Sequence, residues 1–220
     1  MKKLTLFSVA ILAMIAIFLF ATKSYKDKQA ETVQQIAQST DSPLKRSNVP
    51  TIGTIMAKVE IVEFFDPACE GCRAFHPYVK SVLNKYGPQV RLVLRYAAFH
   101  TGSDKVVMLL EAARMQGTDI YVKVLEKVLE TQPQWADHSK PSPDKVWQLV
   151  KDTGLDIERA RKDADDPSIK ARLKQDAEDI VKLGIQKTPT FFVNGKPLRE
   201  FSPNGLAAQV TEEIRANYGQ

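Results

Sequence analysis

The stretch from Lys58 to Tyr86 constrains this chain more than any other. In its first part, KVEIVEFF, Val59, Ile61 and Glu63 share one face and Val62 and Phe64 the other. That predicts a strand apolar enough for the middle of a sheet. DPACEGC follows at once. After Cys72 the residues Phe75, Tyr78, Val79, Val82, Leu83 and Tyr86 recur at helical spacing until Gly87-Pro88 stops the helix. VRLVLRYAAF, residues 90–99, predicts a second strand. Strand, helix and strand of these lengths imply a right-handed parallel unit, so the fold class is α/β.

Helical patterns follow without a β signal: Asp104–Gln116, Asp119–Thr131, a segment opened by Ser142-Pro143 and ending near Gly154, then about 157–164 and 168–183. TPTFFVNGKPLRE predicts a hairpin with Asn194-Gly195 as its turn. Ser202-Pro203 opens a closing helix in which Leu206, Val210 and Ile214 stand four apart. No internal repeat is present.

The formal net charge of +5 raises the question of an anionic partner. Most of it lies in residues 1–50, which hold seven Lys/Arg against three Asp/Glu, while the remainder is nearly balanced at 24 against 23. No basic face of the kind that nucleic acid requires results, so that function class is excluded. Leu4 to Ala21 is an uncharged run of eighteen residues that, as a helix, reaches ~27 Å, close to a bilayer's apolar thickness. An uncleaved signal anchor over residues 1–21, spanning 4–21, is favoured over a cleaved signal, since only Thr22-Lys23-Ser24 imitates a cleavage site. Residues 22–50 are polar and predict a tether that, if flexible, spans about 30 Å.

Both cysteines of the chain, Cys69 and Cys72, fall where the first strand meets its helix. Unsatisfied N–H groups and the positive end of the helix dipole favour a thiolate at Cys69, which makes it the exposed nucleophile and leaves Cys72, one turn later, as the resolving thiol. Glu70 opposes that thiolate by its charge, and Gly71 keeps the turn open. Two plainer readings compete. A zinc site takes four ligands, and beyond the cysteines only His76, His100 and His138 remain. An inert disulfide closing so short a loop restrains the unfolded chain little. No metal site and no cofactor besides the redox-active pair is expected. Pro189 stands directly before an apolar strand, where a cis Thr188–Pro189 bond would present the Thr188 backbone in a kink able to take an extended peptide.

EFFDPACEGC, a helix, a second strand, a helical insertion, TPTFFVNG and a final helix resemble the thioredoxin fold, and within it the DsbA-like thiol-disulfide oxidoreductases, over roughly residues 52–218. The resemblance implies a thioredoxin-like domain at 51–220, preceded by the membrane anchor, with a lid-like helical insertion at about 103–183. It implies Cys69 as nucleophile, Cys72 as resolving cysteine, Pro189 as cis-proline, and Glu63 as a buried carboxylate that moves protons at the inner cysteine. Arg95, on the adjacent strand, is expected to pair with Glu63. Glu70-Gly71 departs from the Pro-His dipeptide of strongly oxidising members, and Lys187 replaces the glycine that many relatives carry before Thr-Pro. Lys187 either supports the Cys69 thiolate or faces solvent. His76, beside Pro77, is a helix-surface residue in preference to a catalytic acid, and Trp135 is expected to pack in the lid.

The function this implies is introduction of disulfides into exported proteins by exchange at Cys69–Cys72. Reductase or isomerase action at the same site, or a non-enzymatic peptide-binding module, are the alternatives. Reduced or misoxidised exported proteins are the expected substrates, and a quinone-coupled membrane oxidase is the redox partner that the family implies. The oxidising chemistry places the domain in a periplasm, on an inner-membrane anchor or, alternatively, soluble after signal cleavage.

Overall fold

Strand β2, Val59–Phe65, is buried along almost its whole length, and it sits where such a strand must, at the centre of the sheet. The structure, a computed structural model, describes residues 2–219, with the side chains of 2–10, 12, 13 and 26 outside the described residues. β2 pairs in parallel with β3, Val90–Tyr96, in the register Ile61↔Leu92 and Glu63↔Leu94. On its other side β2 runs antiparallel to β4, Thr190–Val193, and short strands β1, Thr51–Ile52, and β5, Lys196–Pro197, close the two edges. Asn194 and Gly195 turn β4 into β5 with φ of 48° and 75°, the pair of positive values that a tight hairpin of this type requires.

Alternation along β2 divides the core. Val59, Ile61 and Phe65 join Leu92, Leu94, Phe191 and the apolar stripes of α2, Glu70–Tyr86, and α8, Pro203–Tyr218. Val62 and Phe64 face the other way, with Val93, Ala97, Phe192 and Ile180. Between β3 and β4 the chain forms α3, Ser103–Arg114; α4, Thr118–Glu130; a one-turn α5, Val146–Leu149, flanked by 3₁₀ turns; α6, Ile157–Asp163; and α7, Pro167–Lys182. The third predicted helix is thus mostly 3₁₀, and α7 leaves the lid to cover the second face of the sheet through Ile180 and Leu183.

The same alternation overturns the expected pairing of Glu63 with Arg95. Across the parallel ladder Glu63 stands opposite Leu94, while Arg95 stands opposite Phe64 and therefore points to the opposite face. There Arg95, fully buried, donates to Asp176 at 2.6 Å, to Asp179 at 2.7 Å and to the Pro43 carbonyl at 2.6 Å, with its guanidinium 5.4 Å from the Phe64 ring centroid.

That cluster also corrects the tether. Helix α1 runs without a break from Lys2 to Gln38, and the segment after it packs onto the domain. Ala37, Ser42 and Leu44 are buried. Arg46 makes a two-pronged contact with Asp179 at 2.7 and 2.8 Å. Two buried carboxylates on α7 demand cations, and this polar stretch supplies one of them together with a carbonyl for the other. The predicted span 4–21 lies on α1, with half of its side chains outside the described residues. Among the described residues no helix is long and apolar enough to cross a membrane, so the structure does not support the anchor.

Removing one member of a buried ionic cluster strands the others. Arg95→Ala is therefore expected to lower the unfolding free energy by ~3–5 kcal/mol, measured as a drop in the urea midpoint at unchanged slope.

Candidate active site

Cys69 is the N-cap residue of α2, and its backbone is extended (φ −75°, ψ 120°), which sets its sulfur at the positive end of the helix. Both thiols are reduced; Cys69 keeps 8% exposure and Cys72 none. Cys69 Sγ lies 3.3 Å from the Thr188 carbonyl, to which its thiol donates, and the Thr188–Pro189 bond is cis. Gly71 faces the same kink: a Cβ there would stand 3.3 Å from Pro189 Cδ and 3.4 Å from Cys69 Sγ, tightening the gap between helix and kink.

The electrostatics of the two sulfurs diverge. The Cys69 pKa falls from 9.0 to about 5, chiefly because Cys72 donates a hydrogen bond to its thiolate. Burial opposes the fall, and hydrogen bonds from Thr188 and from the Cys72 and Gly71 amides add to it. Cys72 moves the opposite way, far above its ordinary range, first by burial and then through its bond to Cys69. The Asp66 N–H also reaches Cys72 Sγ, at 3.4 Å. At neutral pH the pair therefore holds one thiolate, on the accessible sulfur, and one proton, on the inner one.

Glu63, on the α2 side of the sheet, is fully enclosed, and its Oε2 has no hydrogen-bond partner. Burial first, and then the Cys69 charge, raise its pKa from 4.5 to about 8. Its carboxyl can therefore gain or lose a proton near neutral pH, without the arginine expected beside it. Glu70 turns its carboxylate to His138, at 2.8 Å, and its pKa falls through its own backbone N–H and through that histidine. Lys187 sets its ammonium over the Phe201 ring, 5.6 Å from the centroid. His76 is half-buried on α2, its Nε2 without a partner and its pKa lowered first by burial. Trp135 is buried in the lid and donates to the Val128 carbonyl at 3.1 Å.

Several residues that shape the site carried no signal in the sequence reading. Gln132, at the end of α4, donates to the carbonyls of Pro67 and Cys69 at 2.8 and 3.0 Å, fastening the lid to the active-site turn. Asp66 is fully buried and accepts from the amides of Ala68, Phe99 and His100, from His100 Nδ1 and from the Ser103 hydroxyl. Burial works against charge on His100, but Asp66 outweighs it and Cys69 and Glu70 add to it, so the His100 pKa is raised. An Asp placed between a buried strand and a C-x-x-C was the one available clue.

A thioredoxin family model matches residues 45–212. Disulfide bond formation protein D of Bacillus subtilis is 26% identical over 160 residues, which cover 70% of this chain and 71% of that protein. A thioredoxin-like oxidoreductase from Silicibacter pomeroyi superimposes with a TM-score of 0.67 at 27% identity, over 81% of this chain and 98% of the other. The thiol-disulfide exchange protein α-DsbA2 of Wolbachia pipientis gives 0.71 at 17% identity, over 84% and 97%. A Na⁺/H⁺ antiporter, NhaA of Herminiimonas arsenicoxydans, also aligns, 26% identical over 83% of this chain, but the chain spans only 28% of that protein's length. The chain belongs to the thioredoxin family. Its relatives named for disulfide bond formation and thiol-disulfide exchange make it a DsbA-like thiol:disulfide oxidoreductase.

The two shifts give opposite pH signatures. The depressed Cys69 pKa stabilises the reduced fold fully above pH 9 and is lost as pH falls toward about 5, so alkylation of Cys69 by iodoacetamide is expected to titrate with a midpoint near 5. The raised Glu63 pKa costs nothing below pH 4.5 and its full amount above about 8. Glu63→Gln should match the parent in acid and exceed it by ~2–4 kcal/mol at pH 8.5, measured by urea unfolding of both reduced proteins.

Proposed function

We propose that this protein is an oxidising thiol:disulfide exchange enzyme acting outside the cytoplasm. The observation that carries the reading is the Cys69 thiolate, held at a helix N-terminus and stabilised first by the hydrogen bond from Cys72, with a pKa of about 5. A thiolate stabilised that far favours the dithiol over the disulfide, so the oxidised enzyme gives its disulfide away.

In the forward reaction a substrate thiolate attacks Cys69 of the enzyme disulfide. The Cys69–Cys72 bond breaks, its electron pair goes to Cys72, and a mixed disulfide forms on Cys69. Cys72, whose pKa lies far up, takes a proton, and Glu63 is the group able to hand one over near neutral pH. A second substrate thiolate then attacks its own partner sulfur and releases Cys69 as a thiolate. Two electrons have passed from substrate to enzyme. The cis Thr188–Pro189 kink is the place for an extended substrate segment, with Thr188 offering its backbone. Exported proteins are the substrates that this chemistry fits, and a quinone-coupled membrane oxidase is the partner that would take the electrons on. The uncharged run at 4–21 is the sequence feature that supports export of the domain across a membrane.

Equilibration with glutathione is expected to give a potential well above the ~−270 mV of thioredoxin, and a value near −270 mV would overturn the oxidising direction. Cys72→Ser is expected to accumulate mixed disulfides with exported proteins, resolved by reductant. Their absence would leave a binding module in place of an enzyme.

A further inference from the structure

Above the dithiol, three side chains from separate segments converge in a way that disulfide exchange does not use. Glu70 heads α2, His100 follows β3, and His138 lies in the lid after α4. One ligand atom from each lies within 4.8 Å of the other two. His138 Nε2 is 2.8 Å from Glu70 Oε1, and the two imidazole rings sit with centroids 5.3 Å apart.

His100 carries the decisive detail. Its Nδ1 is 2.7 Å from Asp66 Oδ2, an oxygen that also accepts the Phe99 and His100 amides. A carboxylate that already accepts from N–H groups makes Nδ1 a donor, which leaves the imidazole lone pair on Nε2. A carboxylate behind one ring nitrogen, fixing the tautomer and the ring, is how proteins prepare a histidine to ligate a metal through the other. An ion pair between Glu70 and His138 would need neither His100 nor that arrangement.

We propose that Glu70, His100 and His138 form a binding site for a divalent transition ion of the zinc class, which ties the helical lid to the start of α2. Two imidazoles and one carboxylate are a zinc donor set, with a fourth position left for water. Metal–ligand distances of ~2.0–2.2 Å put tetrahedral ligands about 3.3 Å apart, so the group has only to close slightly. Glu70 and His138, with side chains 55% and 61% exposed, are free to turn, while the anchored His100 is not required to. A cavity of about 220 Å³, lined by His100, His138, Ala68 and Asp137, opens the site to solvent. Cys69 lies outside the group, so the ion would sit beside the dithiol without consuming it.

The test uses the full chain carrying Cys69→Ser and Cys72→Ser, which removes thiol ligation and exchange activity together. Zinc sulfate titrated against a chromophoric chelator should give one Zn²⁺ per chain with a Kd tighter than about 10 µM, and Zn²⁺ should raise Tm. Adding His138→Ala, a change at an exposed position, should weaken binding at least ~10-fold and abolish the rise in Tm. His100→Ala should do the same, and circular dichroism reports whether it folds. Absence of stoichiometric binding in the cysteine-free protein would overturn the proposal, as would unchanged affinity in His138→Ala. Because no thiol is present, neither result bears on the exchange reaction.

Discussion

The Asp66 carboxylate holds the upper end of this molecule together. It sits one residue beyond β2, has no exposure, and gathers donors from the active-site turn (Ala68), from the loop after β3 (Phe99, His100) and from the first residue of the lid (Ser103). A buried carboxylate is tolerable only when its oxygens are saturated, so those segments must meet around it. The meeting fixes where α2 begins, and with it the place of Cys69 at the helix N-terminus. The Asp66 N–H reaches Cys72 as well, so the strand end, the lid and the inner thiol are set by one residue.

Two kinds of buried charge coexist on opposite sides of the sheet. On the second face Arg95 and Arg46 neutralise Asp176 and Asp179 with short, multiple hydrogen bonds. That cluster cements α7 and the segment after α1 to the sheet. On the first face Glu63 has no cation and an oxygen without a partner. The contrast is functional. Asp179, which both arginines contact, is held below the ordinary carboxylate range and serves structure, whereas the isolated Glu63 is pushed toward neutral pH, where it can carry a proton. The single-residue alternation of β2 and β3 keeps the arginine away from Glu63.

Much of this was legible along the chain. Local periodicity predicted β2, α2, β3 and the β4–β5 hairpin, because each buries one face against its neighbours and so writes its period into the sequence. The position of Cys69 at a helix start, and its distinction from Cys72, followed from the same boundary. Less legible were the elements whose partners are remote. Residues 22–50 looked like a tether by composition, yet Arg46 answers Asp179 on α7, more than a hundred residues away, and the Pro43 carbonyl accepts from Arg95 on β3. The third lid helix broke into 3₁₀ turns, and Gln132, His100 and His138 gave no local signal of their places around the dithiol.

The sequence by itself determined the α/β class, the strand–dithiol–helix junction and the presence of a proline before β4, since these depend on residue type and short-range spacing. The tertiary structure alone decided which charges meet. Glu63 is left alone, Arg95 goes to α7, and Glu70 finds a histidine in the lid. The reason is geometric: side chains pair by the face they occupy and by which distant segments the packing brings together, and neither is recorded in how far apart two residues stand along the chain.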